Sequence, residues 1–172
     1  MRRTCRIALA CCWMLVAAVV LGAQARPNFS GAWVLARDRS SQTMRGSVTM
    51  SIVGLLGEKF TATQDEKVLR LVISALGREI PAVYLLDGSE SQNMNPRGPG
   101  QPDEPIFSKA SWEGDRLVIL TRGTALVDGK PVESKRVIWI DAEGLLIIER
   151  SAGSATTRSV YRRAPISGTI KQ

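Results

Sequence analysis

The chain has 172 residues, 44% of them hydrophobic, with 23 basic and 16 acidic side chains, three cysteines and no histidine. The missing histidine excludes Ser-His-Asp and Cys-His catalysis and every histidine metal site. The net charge of +7 is spread as single or paired basic residues with acids between them, the pattern of a solvated surface and not of a nucleic-acid footprint.

Met1 to Ala25 has the three parts of a secretory signal: basic Arg2, Arg3 and Arg6, an apolar run from Ile7 to Leu21, and Ala23-Gln24-Ala25 as a small-x-small cleavage pattern. That apolar run falls short of the roughly 20 residues a membrane-spanning helix needs. The expected product is an exported chain, periplasmic or extracellular, cleaved near Ala25 and holding residues 26–172 as one domain. Cys5, Cys11 and Cys12 all lie in the signal, so thiol catalysis, thiolate metal sites and disulfides are excluded from the mature chain. Without the three signal arginines, 20 basic and 16 acidic residues remain.

The first strand is expected over Gly31 to Arg37, after Asn28-Phe29-Ser30, and a polar connection follows from Asp38 to Thr43. Ser47 to Val53 alternates Val48, Met50 and Ile52 with polar residues, and Glu58 to Gln64 alternates again around Phe60 and Ala62, both half-buried strand patterns. Lys67 to Ser74 is read as a strand paired to the previous one through a turn at Gln64-Asp65-Glu66. The alternative is a helix, since Val68, Leu71, Val72 and Ala75 share a helical face and Thr63 and Glu66 have capping-box spacing. Glu79 to Leu86 is the next strand, with Pro81 favouring an edge or an early position in it.

Ser89 to Pro105 carries four of the eight prolines and is expected to be one long irregular loop, a candidate lid or binding loop with Asn93, Asn95 and Arg97 as polar contacts. Ile106 to Trp112 and Arg116 to Arg122 then form a hairpin through Glu113-Gly114-Asp115. Further strands are expected over Val132 to Ile140, Leu145 to Arg150 and Thr157 to Arg163. Turns at Asp128-Gly129-Lys130 and Ala142-Glu143-Gly144, and a loop over Ser151 to Thr156, connect them. Sequential hairpins of this kind predict an all-β fold, an up-and-down antiparallel β-barrel of about 8–10 strands.

Phe29-Ser30-Gly31-Ala32-Trp33 resembles the opening of lipocalins and fatty-acid-binding proteins, the calycin group, where Gly-x-Trp starts the first strand. Tyr84 to Ser91, Ser111 to Ile119 and Ser159 to Arg163 resemble small exported lipocalin-like bacterial proteins. The resemblance implies a closed or nearly closed barrel with an apolar cavity, and an Arg of a late strand stacked on Trp33, for which Arg150 and Arg162 are the candidates. The chain departs from the fatty-acid-binding pattern at its last strand. Tyr161-Arg162-Arg163 reverses the Arg-x-Tyr that often grips a carboxylate there, so that site is not carried over.

The candidate ligand-binding residues are Trp33, Arg97, Trp112, Trp139, Tyr161 and Arg163. Trp33 reads as a barrel plug before a cavity floor, and Trp112 and Trp139 as core before ligand platform. Tyr161 and Arg163 share one strand face, read as a solvated edge or, if inward, as a grip on an anionic or hydroxylated head group. No catalytic residue, metal site or cofactor is expected; the surviving enzymatic alternative is a carboxylate-based hydrolase. The expected partner is a small, mainly apolar ligand, the alternative being a filled barrel that contacts an envelope protein.

Overall fold

The computed structural model describes residues 26–43, 56–75, 77–97, 100–127, 130–153 and 155–165. The signal expected over 1–25 and the strand expected at Ser47 to Val53 lie outside them. The described residues form eleven strands: β1 (Gly31–Leu35), β2 (Ser41–Thr43), β3 (Lys59–Gln64), β4 (Val68–Ala75), β5 (Arg78–Leu85), β6 (Glu90–Asn95), β7 (Glu104–Glu113), β8 (Arg116–Val127), β9 (Lys130–Ile140), β10 (Leu146–Ala152) and β11 (Ala155–Arg163). All pairings are antiparallel, in the order β5-β4-β3-β1-β11-β10-β9-β8-β7-β6, with β2 added beside β11. The sheet therefore curls into a nearly closed barrel whose two free edges, β5 and β6, are consecutive strands.

Hairpin turns set this order. At Gln64-Asp65-Glu66 the Asp65 carboxylate accepts hydrogen bonds from the Lys67 and Val68 amides, each at 2.8 Å. An aspartate holding its own turn in this way starts a strand, and the helical alternative for Lys67 to Ser74 disappears. Asp141 accepts from the Glu143 and Leu145 amides in the β9–β10 turn, each at 2.9 Å, and Gly114 takes φ 64° between β7 and β8.

Alternation places one residue of every pair inside. Phe60, Ala62, Leu69, Leu71, Ile73, Ile80, Ala82, Tyr84, Ile106, Ala110, Leu117, Ile119, Ile138, Leu146, Ile148 and Tyr161 share one buried cluster with Trp33 and Phe29. A smaller cluster of Ala36, Ile147 and Val160, with Trp139 and Leu145 against it, sits on the outer face. It is covered by the chain after β1, a 3-10 turn at Arg37–Arg39. Ion pairs Arg37–Glu58, Arg39–Glu143 and Arg162–Asp38 pin that turn, but all six side chains are more than half exposed, so each pair adds only ~0–1 kcal/mol.

Three expectations need correction. The first strand stops at Leu35, because the backbone leaves the extended conformation at Ala36, which caps the 3-10 turn at Arg37–Arg39. The Ser151 to Thr156 loop shrinks to a tight turn, since β10 and β11 pair as far as Ala152 and Ala155. The Ser89 to Pro105 loop contains β6 and the start of β7, paired from Glu90↔Lys109 to Asn95↔Glu104. Its prolines conceal a strand that alternates in burial without alternating in hydropathy: Ser91 and Asn93 are buried while Gln92 and Met94 are exposed.

Candidate ligand site in the barrel interior

One end of the barrel is stoppered. Trp33 is fully buried and donates its Nε1 hydrogen to the Phe29 carbonyl at 2.8 Å. Phe29 stacks on Trp112 with ring centroids 5.7 Å apart, and Arg26 lies over the other ring system at 5.5 Å. Gln64 stitches this entry strap to β3, accepting from the Phe29 amide at 3.0 Å and donating to the Pro27 carbonyl at 3.1 Å.

The arginine on Trp33 is Arg163, 4.6 Å from the ring centroid, in place of Arg150 or Arg162. Register decides it: Trp33 and Arg163 are direct partners in the β1–β11 ladder, whereas Arg162 pairs with Asp38 at 2.8 Å. Arg163 Nη1 also donates to the Ser30 carbonyl at 2.8 Å. Gly31 adopts φ 138°, and a Cβ there would lie 2.5 Å from Arg163 Nη1. The Gly-x-Trp pair thus makes room for the cation that caps the indole.

Away from this stopper the interior turns polar. Ser91, Asn93, Ser108, Arg136, Arg150 and Thr157 are the buried polar or charged residues described, and no carboxylate is among them. Ser91 Oγ donates to the Ser108 carbonyl at 3.1 Å, and the Ser108 and Thr121 hydroxyls meet at 2.9 Å. Arg136 and Arg150 are direct partners across β9 and β10, 4% and 6% exposed. Arg136 reaches from β9 to β5, where Nη1 donates to the Tyr84 hydroxyl at 3.2 Å. The Nε atom of Arg150 is buried with no hydrogen-bond partner. Burial, and then the neighbouring Arg136 charge, lower its pKa, the expected response of a cation withdrawn from water beside a like charge.

The β5–β6 seam flanks this interior. Asn93 there does the work of a backbone ladder: its Oδ1 accepts from the Val83 amide at 2.7 Å and its Nδ2 donates to the Val83 carbonyl at 2.9 Å. Pro81 lies in β5, opposite Val72 on the paired side. Arg78 and Asp103 bridge nearby at 2.6 Å, which holds the Asp103 carboxyl below its usual pKa. A groove of about 260 Å³ runs along the seam. Ile80 and Asn93 belong both to its wall and to the buried interior, and Val83 and Met94 stand exposed beside them. A larger groove of about 480 Å³ lies against the outer sides of β7, β8 and β9, between Phe107, Leu120 and Lys135.

The residues singled out by sequence do not form one site. Trp33, Trp112 and Arg163 build the stopper. Tyr161 faces the interior, against the expectation of a solvated edge: it contacts Phe60 edge-on at 5.0 Å and donates to the Gly57 carbonyl at 3.0 Å. Burial pushes its pKa up to about 12. Trp139 faces outward under Arg116, 4.6 Å away, and Arg97 sits half-exposed beside Glu104 at 3.5 Å. Of the polar interior, Arg136 and Tyr84 are not singled out by the sequence, Asn93 is expected on a loop and Arg150 on Trp33; the structure brings all four to the barrel interior. The signal was present, since Arg136 keeps the parity of Ile138 and Ile140, and Arg150 that of Leu146 and Ile148.

No family model matches the chain, and no curated protein matches it. Among solved structures it is similar to one described as "REP1-NXSQ fatty acid transporter", with a TM-score of 0.55 and 12% identity, over 80% of this chain and 96% of that one. At that identity the likeness shows the barrel fold alone.

Proposed function

We propose that the protein is an exported, non-enzymatic binding barrel for a small, mainly apolar ligand. The observation that carries this reading is the β5–β6 seam, where β5 and β6 are not ladder partners and the Asn93 side-chain amide bonds the Val83 backbone instead. A barrel that only had to be stable would close that edge with main-chain bonds. Exposed Val83 and Met94 give an apolar ligand a first contact, and the seam leads directly to the interior wall at Ile80. The similarity to a structure described as a fatty acid transporter supports the same class of ligand, and the signal-like N-terminus supports export.

A second reading has its own observation. The buried inner side chains are packed nearly free of solvent, from Trp33 at 0% to Ser91 and Thr157 at 7% exposed, as in a filled barrel that serves as an envelope interaction module. Native mass spectrometry of protein purified gently from cells expressing the full chain separates the two. A co-purifying mass lost on denaturation establishes the carrier, and the protein mass reports cleavage after Ala25. A bare protein mass, with no thermal shift across a panel of lipids and small metabolites, sinks the carrier and leaves the filled barrel.

A further inference from the structure

We propose that the outer face of β6 to β9 is a self-association surface, and that its occupant is a second copy of this chain related by a two-fold axis. The face carries an apolar diagonal. Gln92 is the ladder partner of Phe107, and Phe107 of Arg122; Met94 stands two residues beyond Gln92, and Leu120 two residues before Arg122. Side chains in that relation lie about 7–8 Å apart on one face of a sheet, so Met94, Phe107 and Leu120 form a stripe over three strands. Leu120 is 55% exposed and Met94 43%, the two most exposed large hydrophobics described. A contiguous apolar stripe rimmed by polar residues marks a contact surface, where isolated exposed residues do not. Beside it, between Phe107, Leu120 and Lys135, lies the groove of about 480 Å³, a recess able to take a leucine from the second copy.

The charges around the stripe select the partner. Lys109, Leu120 and Lys135 form one row of ladder partners across β7, β8 and β9, and Phe107, Arg122 and Glu133 form the next. Arg122 is committed within the chain, bridging to Glu90 at 3.6 Å while its guanidinium covers Phe107 at 5.8 Å. Lys109, Lys135 and Glu133 are in no ion pair among the described residues. The groove wall thus sets three cations, Lys109, Arg122 and Lys135, against two anions, Glu90 and Glu133. An anionic membrane or an acidic segment would meet two repelling carboxylates, and a basic segment three repelling cations. A near-balanced set with both signs uncommitted is complementary to itself. A two-fold axis running across the strands between Lys135 and Glu133 sets each against the other in the second copy, the reciprocal pairing of an isologous contact. The same axis brings Lys109 of each copy over Phe107 of the other and lays Leu120 beside it, in the recess. The contact uses outward side chains only, so it is open to a hollow and a filled barrel alike.

The test is sedimentation velocity over a concentration series, on protein purified from cells expressing the full chain, with the variants Leu120→Glu, Glu133→Lys, Lys135→Glu and the last two combined. The wild type is expected to dimerise with a Kd of about 1–100 μM, the range of a small, partly polar contact. Leu120→Glu is expected to raise that Kd about 10-fold or more while the dilute, monomeric variant melts as the wild type does; Leu120→Ser replaces it if the charged form does not fold. Each single charge reversal is expected to weaken the dimer about 10-fold, and the combined swap to restore it to within about threefold of the wild type. A monomer at every concentration, or a dimer that Leu120→Glu leaves intact, overturns the proposal. Weakening by both single reversals without rescue in the combined swap overturns the two-fold pairing. Flotation of the monomer with vesicles of equimolar phosphatidylglycerol and phosphatidylcholine, lost in Lys135→Glu and strengthened in Glu133→Lys, assigns the face to a membrane and overturns it as well.

Discussion

Replacing Asn93 with leucine, nearly the same shape without the amide, tests whether the seam is a gate. Asn93 makes two hydrogen bonds to the Val83 backbone, at 2.7 and 2.9 Å. At a net ~0.5–1.5 kcal/mol for each bond, their loss should cost about 1–3 kcal/mol. The lower half of that range is expected, because Val83 is partly exposed and water can reach its freed amide and carbonyl. Urea unfolding followed by tryptophan fluorescence gives the total. Native-state hydrogen exchange gives the location: faster exchange should concentrate in β5 and β6, with β8 to β10 holding the protection of the parent. The Arg78–Asp103 pair remains in the variant, so the seam loosens without the barrel unrolling. A loss under about 0.5 kcal/mol, or exchange that accelerates evenly in every strand, would refute the gate and with it the main support for a carrier.

Three further outcomes follow from the interior and the stopper. Trp112→Phe keeps the stack on Phe29 and removes a buried, unpartnered indole N–H, so urea unfolding should find the variant as stable as the parent or more so; a loss above about 1 kcal/mol contradicts it. Gly31→Ala must displace Arg163 from Trp33, because the new Cβ meets Nη1 at 2.5 Å and the backbone stands at φ 138°. The cost should be about 1–3 kcal/mol, and smaller when Arg163 is already alanine, a non-additivity that a double-mutant cycle reads directly. Tyr161 has its pKa raised by burial from 10.0 to about 12, so the folded state holds that proton more tightly than the unfolded one. Its contribution is complete below pH 10 and is lost as pH climbs toward 12, by ~2–3 kcal/mol in all. Tyr161→Phe should flatten the alkaline stability profile by that amount over the same window, and parallel profiles for parent and variant would count against it.

The barrel was legible in the sequence because a strand announces itself by local alternation and a hairpin by its turn. Phe60 and Ala62 alternate with polar neighbours, and Asp65 and Asp141 supply side-chain acceptors that fix their own turns. These are interactions across a few residues, and they are written where they act. β6 was missed for the converse reason: its inner residues are Ser91 and Asn93, so burial leaves no hydropathy trace, and the neighbouring prolines mark the chain as irregular.

What the sequence by itself determined is the all-β class and the strand parity, since each depends on nearest-neighbour sterics and a period of two. Which distant side chains meet was decided only by the tertiary structure. Arg163 lies on Trp33 because β11 closes against β1 at one register, and a shift by one would have delivered Arg162 instead. Arg136 reaches Tyr84 because β9 and β5 face each other across the lumen, 52 residues apart along the chain. Closing the sheet turned two scattered arginines into one buried pair, and the energy of that pair is a property of the closed barrel, where water no longer shields one charge from the other.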